Sequence, residues 1–207
     1  MVRVKICGIT SVEDALLAVE LGASALGFIF YPKSPRFVSP LKAAAIRQQL
    51  PPFVSVVGVF VNETPERIED IRRLVGLDLV QLHGDEPPEM AAKFFPNVIK
   101  AFRVRQEGDL AKISFYRDNI SAILLDTYVS GLPGGTGQVF DWSLAKKAKT
   151  FGLPIILAGG LRPDNVKQAV EEVRPYALDV SSGVEAFPGK KHPALLARLF
   201  ANLSGMD

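Results

Sequence analysis

The chain has 207 residues, with 24 Lys and Arg against 22 Asp and Glu, so its formal net charge is +2. This length suits one or two ordinary domains or one α/β barrel, and 48% hydrophobic with 22% charged residues excludes a disordered chain. The small charge excess gives no reason to expect binding to nucleic acid or to an anionic membrane. The chain's one cysteine, Cys7, cannot form an internal disulfide, so we expect a reducing, cytoplasmic environment.

The N-terminal segment has no pattern typical of export. Glu13 and Asp14 interrupt the place where the apolar part of a signal peptide would lie. The longest apolar run, Val54–Val61, is far shorter than the ~18 residues that predict a membrane-spanning helix. We therefore expect a chain that is neither exported nor inserted into a membrane.

Short apolar, β-branched runs recur along the chain, and each predicts a buried strand. Eight such runs are present: Val2–Ile6, Ala25–Phe30, Val54–Val61, Asp78–Leu82, Val98–Phe102, Ala122–Asp126, Pro154–Ala158 and Ala177–Ser181. The runs are nearly continuous rather than alternating, which indicates a parallel sheet covered on both faces.

Segments with helical spacing lie between these runs. The first helix is predicted to begin at a capping box of Thr10 and Glu13 and to end at Gly22. Other helices are predicted after Ser39-Pro40 and Thr64-Pro65, from Asp141 to Thr150, from Arg162–Asn165 to Val173, and over Pro193–Leu203. The repeated strand-then-helix order predicts an α/β fold, a single-domain (β/α)8 TIM barrel over residues 1–207, with an open doubly wound sheet as the alternative.

Glycines and serines follow the last two predicted strands. In a (β/α)8 barrel the active site lies at the carboxyl ends of the strands, and phosphate commonly binds after strands 7 and 8. Gly159-Gly160 and Ser182-Gly183 occupy those two places. Either pair alone is typical of a tight turn, but glycine also lets backbone N–H groups approach an anion closely. The two pairs together favour a phosphate site.

Cys7 and Asp126 end the first and sixth predicted strands. A single buried cysteine is most often a small apolar side chain, but a helix N-terminus and the nearby Lys5 would favour the thiolate. Asp126 either caps a turn or places a carboxylate at the mouth of the barrel. Because strands 1 and 6 lie three steps apart in a ring of eight, a base and an acid on them could reach one ligand from opposite sides, as proton transfer requires.

The remaining polar candidates allow more than one interpretation. Arg36, in a proline-rich loop, is either a solvated cation or a clamp for a substrate carboxylate. His83 could carry a proton, whereas we expect His192 to be solvated and Trp142 to be packed. No spacing of His, Cys and Asp suggests zinc, and neither a dinucleotide fingerprint nor a P-loop occurs. We therefore expect no metal and no cofactor.

The first predicted strand places Arg3, Lys5 and Cys7 on one side and apolar residues on the other. If the apolar set faces the helices, two cations point into the barrel and need a partner there. Asp179 on the neighbouring last strand is the candidate.

Taken in order along the chain, these motifs resemble the phosphoribosylanthranilate isomerase family of tryptophan biosynthesis. The matching segments are KICGIT (5–10), GFIFYPKSPRFV (27–38), VGVFVN (57–62), VQLHGDE (80–86), LLDT (124–127), GGTGQVFDW (134–142), LAGGLRPDN (157–165) and LDVSSGVE (178–185). Each segment alone is a weak signal, but the ordered set covers essentially the whole chain. One departure is His192, where the family more often has Asp.

The resemblance implies an Amadori rearrangement of N-(5-phosphoribosyl)anthranilate to 1-(2-carboxyphenylamino)-1-deoxyribulose 5-phosphate by general acid–base catalysis. It implies that Asp126 protonates the furanose ring oxygen and that Cys7 removes the C2 proton. The implied substrate-binding residues are Arg36, for the anthranilate carboxylate, Gln81, His83, Gly159, Gly160, Ser181, Ser182 and Gly183. The implied partner is this small phosphorylated substrate, and the chain would be a monomer or a homodimer. The loop Gly131–Gly137 could close over the substrate.

Two other functions remain as alternatives. The histidine-pathway isomerase performs the same rearrangement, but it resembles a two-carboxylate arrangement with an Asp at the place of Cys7. A sensor of phosphorylated ligands would keep the barrel without needing both Cys7 and Asp126. Turnover of phosphoribosylanthranilate separates an enzyme from a sensor.

Overall fold

The computed structural model describes residues 2–126 and 142–206, and in them eight parallel strands close into a barrel in chain order. The strands are β1 (Arg3–Cys7), β2 (Ala25–Ile29), β3 (Ser55–Phe60), β4 (Leu79–Leu82), β5 (Val98–Arg103), β6 (Ala122–Asp126), β7 (Ile155–Ala158) and β8 (Ala177–Val180). Because β1 pairs with both β2 and β8, the barrel sheet has no open edge. The closed ring confirms the predicted barrel and excludes the open sheet, and each predicted run agrees with its strand to within one residue at either end.

Helices cover the outside of the barrel. They are α1 (Val12–Glu20), α2 (Pro40–Arg47), α3 (Pro65–Val75), α4 (Pro88–Ala92), α5 (Ser143–Ala148), α6 (Val166–Val173) and α7 (Pro193–Leu203). The hydroxyls of Ser39 and Thr64 accept backbone N–H groups at the starts of α2 and α3, as predicted. Among the described residues, no helix is long and apolar enough to cross a membrane.

Several connections depart from a plain strand–helix repeat. Between β5 and β6 the chain forms a 3₁₀ helix, Glu107–Asn119, in place of an α-helix. Further 3₁₀ helices continue α5 over Lys149–Phe151 and follow β8 over Ser182–Val184. A short hairpin of β9 (Glu185–Phe187) and β10 (Lys190–Lys191), which no pattern predicted, then leads into α7. The predicted cap Asp141 and the loop Gly131–Gly137 lie outside the described residues.

The start of α1 corrects one prediction. Ser11, not Thr10, is the N-cap, and its hydroxyl accepts the N–H of Asp14 at 3.3 Å. The Thr10 hydroxyl donates instead to the carbonyl of Gly189, 2.6 Å away in the hairpin. The predicted Thr10 capping box is wrong because a hydrogen bond to a distant part of the chain uses that hydroxyl, while the neighbouring serine can cap the helix equally well.

The apolar interior has two layers. The larger one lies between strands and helices. The smaller one fills the barrel itself with Val57, Ile99, Ala101, Ala122, Leu124, Ile156, Ala158 and Ala177. Since alternate residues of a strand face the same side, the inward set continues from Leu124 to Asp126, from Leu79 to Gln81 and from Ala177 to Asp179. This alternation brings polar side chains to the carboxyl end of an otherwise apolar barrel.

Candidate active site

A buried ion pair lies directly above the apolar layer of the barrel. The Nζ of Lys5 donates to Oδ1 of Asp179 at 2.9 Å and to Oε1 of Gln81 at 2.8 Å. Burial alone would lower the pKa of Lys5, but the charge of the Asp179 carboxylate and the hydrogen bond to it oppose burial, and this pKa is raised. Lys5 is therefore a charged group inside the barrel, and its predicted pairing with Asp179 is confirmed.

Arg3 does not join this ion pair. It is exposed at the start of β1, where its guanidinium carbon lies 4.5 Å from the centroid of the Tyr176 ring. The prediction that both cations of β1 point into the barrel is thus wrong for Arg3. The first residue of the strand lies at the amino-terminal rim, where solvent and an aromatic ring satisfy the charge.

Cys7 is buried at the end of β1, with 6% of its surface exposed. The facing residue on β2 is Gly27, at which a Cβ atom would come within 2.7 Å of the Cys7 sulfur. Burial raises the pKa of the Cys7 thiol; Lys5 lowers it, Asp179 raises it further and Lys191 lowers it, with burial prevailing. Lys5 thus favours the thiolate, as expected, but the opposing effect of burial is larger. Its thiolate would therefore be a stronger base than that of a free cysteine.

Asp126 ends β6 and contacts His83, which lies just beyond β4. The Nε2 of His83 is 3.3 Å from Oδ2 of Asp126, and Nδ1 of His83 is 2.9 Å from Nε2 of Gln81. The side chains of His83 and Asp126 are 19% and 24% exposed. The structure thus brings together three residues predicted for the site, in a row that runs from the buried Lys5 to the open mouth of the barrel.

The loop that carries His83 rests on a buried ion pair of Lys100 with Glu86, the last residue of the family-like segment 80–86. The carboxylate of Glu86 accepts the N–H of Gly84 at 2.9 Å and the Nζ of Lys100 at 3.1 Å. Both side chains are at most 3% exposed. Burial lowers the pKa of Lys100, against the opposing effect of Glu86. The pair holds the backbone next to His83 in one position.

Arg36 is held by a carboxylate of this chain. Its Nε and Nη2 donate to both oxygens of Glu185 at 2.7–3.0 Å. The buried Lys191 donates to the same carboxylate at 2.9 Å, and to the carbonyls of Cys7 and Ser181 at 2.5 and 3.3 Å. Burial would raise the pKa of Glu185, but the hydrogen bonds from Arg36 and Lys191 outweigh it and lower this pKa.

This network locks Arg36 beside the end of β1 and contradicts its interpretation as a freely solvated cation. A Cβ atom at Gly8 would lie 2.7 Å from Cδ of Arg36, and Gly8 also has a φ of 77°, a left-handed conformation that favours glycine. Sequence reasoning missed Glu185 and Lys191 as parts of the site. The only signal was the inclusion of Glu185 in the family-like segment 178–185.

The two glycine segments predicted for phosphate lie side by side. Gly159 and Gly160 have φ values of 84° and 64°, and the side chain of Asn165 donates to the Gly160 carbonyl at 3.0 Å. A Cβ atom at Gly183 would collide with the backbone carbonyl of Leu161, so the loops after β7 and β8 pack directly against each other. Ser182 is exposed at the start of its 3₁₀ helix. Backbone N–H groups of both loops are therefore available to one anion.

The other candidates fall outside the site. His192 is exposed and heads α7 without a capping hydrogen bond, and Trp142 is 4% exposed and packs at the start of α5, both as predicted. In the part of the chain that the structure describes, no three His, Cys, Asp or Glu side chains are arranged to hold a metal ion.

Comparison with known proteins gives one consistent result. The family model described as N-(5'phosphoribosyl)anthranilate (PRA) isomerase matches residues 4–202. The N-(5'-phosphoribosyl)anthranilate isomerase of Geobacter sulfurreducens is 55% identical over 205 residues, which are 99% of this chain and 100% of that protein.

Two solved structures superpose along their whole length. A phosphoribosyl anthranilate isomerase in complex with reduced 1-(o-carboxyphenylamino)-1-deoxyribulose 5-phosphate has a TM-score of 0.89 at 50% identity, with 100% of both chains covered. Monomers generated from the dimeric phosphoribosylanthranilate isomerase of Thermotoga maritima have a TM-score of 0.88 at 48% identity, again with 100% of both chains covered.

Proposed function

Because the chain belongs to the N-(5'-phosphoribosyl)anthranilate isomerase family, and therefore catalyses that isomerisation in tryptophan biosynthesis, we propose that Cys7 is its general base and Asp126 its general acid. The observation that carries this assignment is the position of the two side chains. Both continue the inward-facing set at the carboxyl end of the barrel, on strands three steps apart in the ring. The histidine-pathway alternative would need a carboxylate where β1 ends in Cys7.

The proposed reaction begins at the furanose ring. Asp126 donates a proton to the ring oxygen, the bond from that oxygen to C1 breaks, and an iminium forms between C1 and the anthranilate nitrogen. Cys7 then removes the C2 proton, whose electron pair forms the C1–C2 double bond of an enolamine. Transfer of the O2 proton to C1 gives the ketone. Asp126 has lost one proton and Cys7 has gained one, and exchange with solvent restores both.

The burial of Cys7 makes its thiolate more basic but also less abundant. A thiolate in this position is more basic than one in water, which favours removal of a carbon-bound proton. The same burial makes the thiolate scarce at neutral pH. Lys5 and Lys191 limit that cost, since their charges lower the pKa of Cys7.

Binding of the two anionic groups of the substrate is assigned to separate loops. We assign the phosphate to backbone N–H groups of the loops after β7 and β8, which include Gly160, Ser182 and Gly183. Glu185 occupies the Nε and Nη2 edge of Arg36, so the Nη1 side is the edge for the anthranilate carboxylate. His83 lines the mouth between them, and the buried Gln81 supports it from below.

The test is turnover of phosphoribosylanthranilate by the wild type, Cys7→Ala and Asp126→Ala. We expect each substitution to lower kcat by at least ~10²-fold, the lower limit for loss of general acid or base catalysis. Asp164→Ala, which removes only an exposed ion pair with Arg198, serves as the control and should keep wild-type kcat. Near wild-type turnover in either site variant removes that residue from the mechanism, and binding without turnover by the wild type would indicate a sensor.

We further propose that the protein is a cytoplasmic homodimer. Phe53 is 102% exposed in the loop between α2 and β3, with a φ of 69° that presents it at the amino-terminal face of the barrel. An aromatic side chain held out in this way is typical of an interface residue, and the Thermotoga maritima relative is described as dimeric. Light scattering should give a dimer for the wild type and for the control Phe115→Glu, also at an exposed site, but a monomer for Phe53→Glu. A wild-type monomer would contradict this proposal.

A further inference from the structure

We propose that Gln81 is a positioning residue that fixes the tautomer of His83 and thereby decides which oxygen of Asp126 carries the catalytic proton. The part that concerns His83 stands on the geometry alone. The part that concerns the proton rests on the proposed role of Asp126 as general acid.

The direction of every hydrogen bond in the row follows from its first member. The ammonium group of Lys5 can only donate, and it lies 2.8 Å from Oε1 of Gln81. The Gln81 oxygen therefore accepts, and this settles the orientation of the amide. Its Nε2, which can only donate, faces Nδ1 of His83 at 2.9 Å. Nδ1 must then be an unprotonated acceptor.

A neutral imidazole that accepts at Nδ1 carries its hydrogen on Nε2. Nε2 of His83 lies 3.3 Å from Oδ2 of Asp126, so His83 donates to that oxygen. Turning the Gln81 amide around would place its NH₂ against the charged ammonium of Lys5, which is 3% exposed. The buried Lys5–Asp179 ion pair thus sets the state of a group at the mouth.

The tautomer determines the direction in which Asp126 can donate. While Nε2–H points at Oδ2, that oxygen is an acceptor, and a proton on the carboxyl group sits on Oδ1. With the opposite tautomer, the bare Nε2 would accept a proton from Oδ2. The acidic hydrogen would then point at His83 and away from the substrate. The Gln81 amide prevents this unproductive orientation of the Asp126 proton.

The same chemistry excludes a proton relay along the row. A relay would require Gln81 to take up a proton on its oxygen and release one from its nitrogen, and an amide does neither readily. Cys7 and Asp126 therefore exchange protons with solvent and not through Lys5, Gln81 and His83. These side chains act by orienting the hydrogen bond between His83 and Asp126.

Nitrogen-15 NMR of the unliganded protein reads the tautomer directly. The chain has two histidines, so the variant His192→Gln leaves His83 as the only labelled imidazole. We expect the spectrum of a neutral ring with its hydrogen on Nε2 and an unprotonated Nδ1. A hydrogen on Nδ1, in a neutral or a charged ring, overturns the proposal whatever the activity of the protein.

The variant Gln81→Glu tests whether Gln81 determines the tautomer of His83. A carboxylate of nearly the same shape can still accept from Lys5, but it also accepts at its second oxygen, so it should draw a hydrogen to Nδ1 of His83. We expect this change in the NMR spectrum and a fall in kcat of about 10-fold or more, with KM changed less than about threefold. Gln49→Glu, at an exposed position just after α2, is the matched control and should change neither. An unchanged His83 tautomer in Gln81→Glu contradicts the proposal.

Substitutions of His83 give a test that does not depend on the fold around Gln81. His83→Gln can still present an N–H to Asp126, whereas His83→Leu cannot. We expect kcat to be substantially higher in His83→Gln than in His83→Leu, and equal loss in both contradicts the orienting role. Failure of the proposed function would look different, because Asp126→Ala would then remain active while the tautomer of His83 stayed as expected.

Discussion

The two sides of the candidate site are built in different ways. Around Cys7 the groups are charged: Lys5 and Lys191 are buried and flank the thiol, and Arg36, whose side chain is 22% exposed, is locked to Glu185 nearby. On the other side, the imidazole of His83 contacts Asp126, and the carboxylate side chain is 24% exposed. Charge and burial control how easily Cys7 gives up its proton. Neutral hydrogen bonds control where the proton of Asp126 points.

The difference follows from the position of each strand end in the chain. Beyond β8 the chain forms the β9–β10 hairpin, which brings the Nζ of Lys191 to the backbone carbonyl of Cys7 at the end of β1. On the opposite side, His83 and the neighbouring Gly84 depend on one loop braced by Glu86 and Lys100. Replacing a charged neighbour of Cys7 should therefore change the free energy of unfolding and the pKa of the thiol. Replacing His83 should mainly change kcat.

The largest expected effect on stability is that of a substitution at Lys191, on the Cys7 side. Lys191→Met removes a fully buried cation from Glu185 and from two backbone carbonyls. Glu185 keeps its hydrogen bonds from Arg36, so the expected loss is that of a buried hydrogen-bond donor, about 1–3 kcal/mol in the free energy of unfolding. Urea denaturation at neutral pH measures the change. Lys147→Met, which breaks only the exposed pair with Glu107, should cost no more than about 1 kcal/mol, and equal losses in the two variants would contradict the account.

A smaller effect on substrate binding is expected at Arg36. Arg36→Met should raise KM by about 10- to 100-fold, equivalent to one charge-assisted hydrogen bond of ~1.5–3 kcal/mol, while kcat falls much less. Steady-state assays over a range of phosphoribosylanthranilate concentrations separate the two parameters. Arg47→Met, in the half-exposed pair of Arg47 with Asp78, should leave KM unchanged. An unchanged KM in Arg36→Met would return Arg36 to a purely structural role with Glu185.

The raised pKa of Cys7 predicts a pH dependence. A pKa above the usual ~8.5 of a cysteine means that the thiolate fraction at neutral pH is lower than that of a free cysteine and grows as the pH rises. Alkylation of the single thiol by iodoacetamide, followed by mass spectrometry, should be slow at pH 7 and accelerate through and above pH 8.5. A rate that reaches its plateau below pH 8 would show that the nearby cations, not burial, dominate.

Much of this arrangement could be predicted because it depends on local patterns. The eight runs gave the strands, and alternation along β1 placed Lys5 inside, opposite Asp179. The positions of Cys7 and Asp126 follow from strand order alone. That residues 1–207 form a single domain stays a prediction.

The rest depends on contacts between distant parts of the chain. Nothing near Glu185 in the sequence shows that it receives Arg36 from 149 positions away, or that a hairpin carries Lys191 onto Cys7. The N-cap of α1 is Ser11 and not Thr10 for the same reason, because the Thr10 hydroxyl bonds to the distant carbonyl of Gly189. For Cys7, the sequence shows a nearby cation that favours the thiolate but not how deeply the thiol is buried, and burial has the larger effect on its pKa.

The most direct test of the central claim is a crystal structure of this protein with the reduced form of 1-(2-carboxyphenylamino)-1-deoxyribulose 5-phosphate. A reacting atom and its catalytic group should lie about 3–3.5 Å apart. We predict that the Cys7 sulfur lies at this distance from C2 on one side, and that a carboxylate oxygen of Asp126 contacts O4, the former ring oxygen, on the other. A complex in which another side chain approaches C2 more closely than Cys7, or in which Asp126 does not reach O4, would contradict the assignment of base and acid.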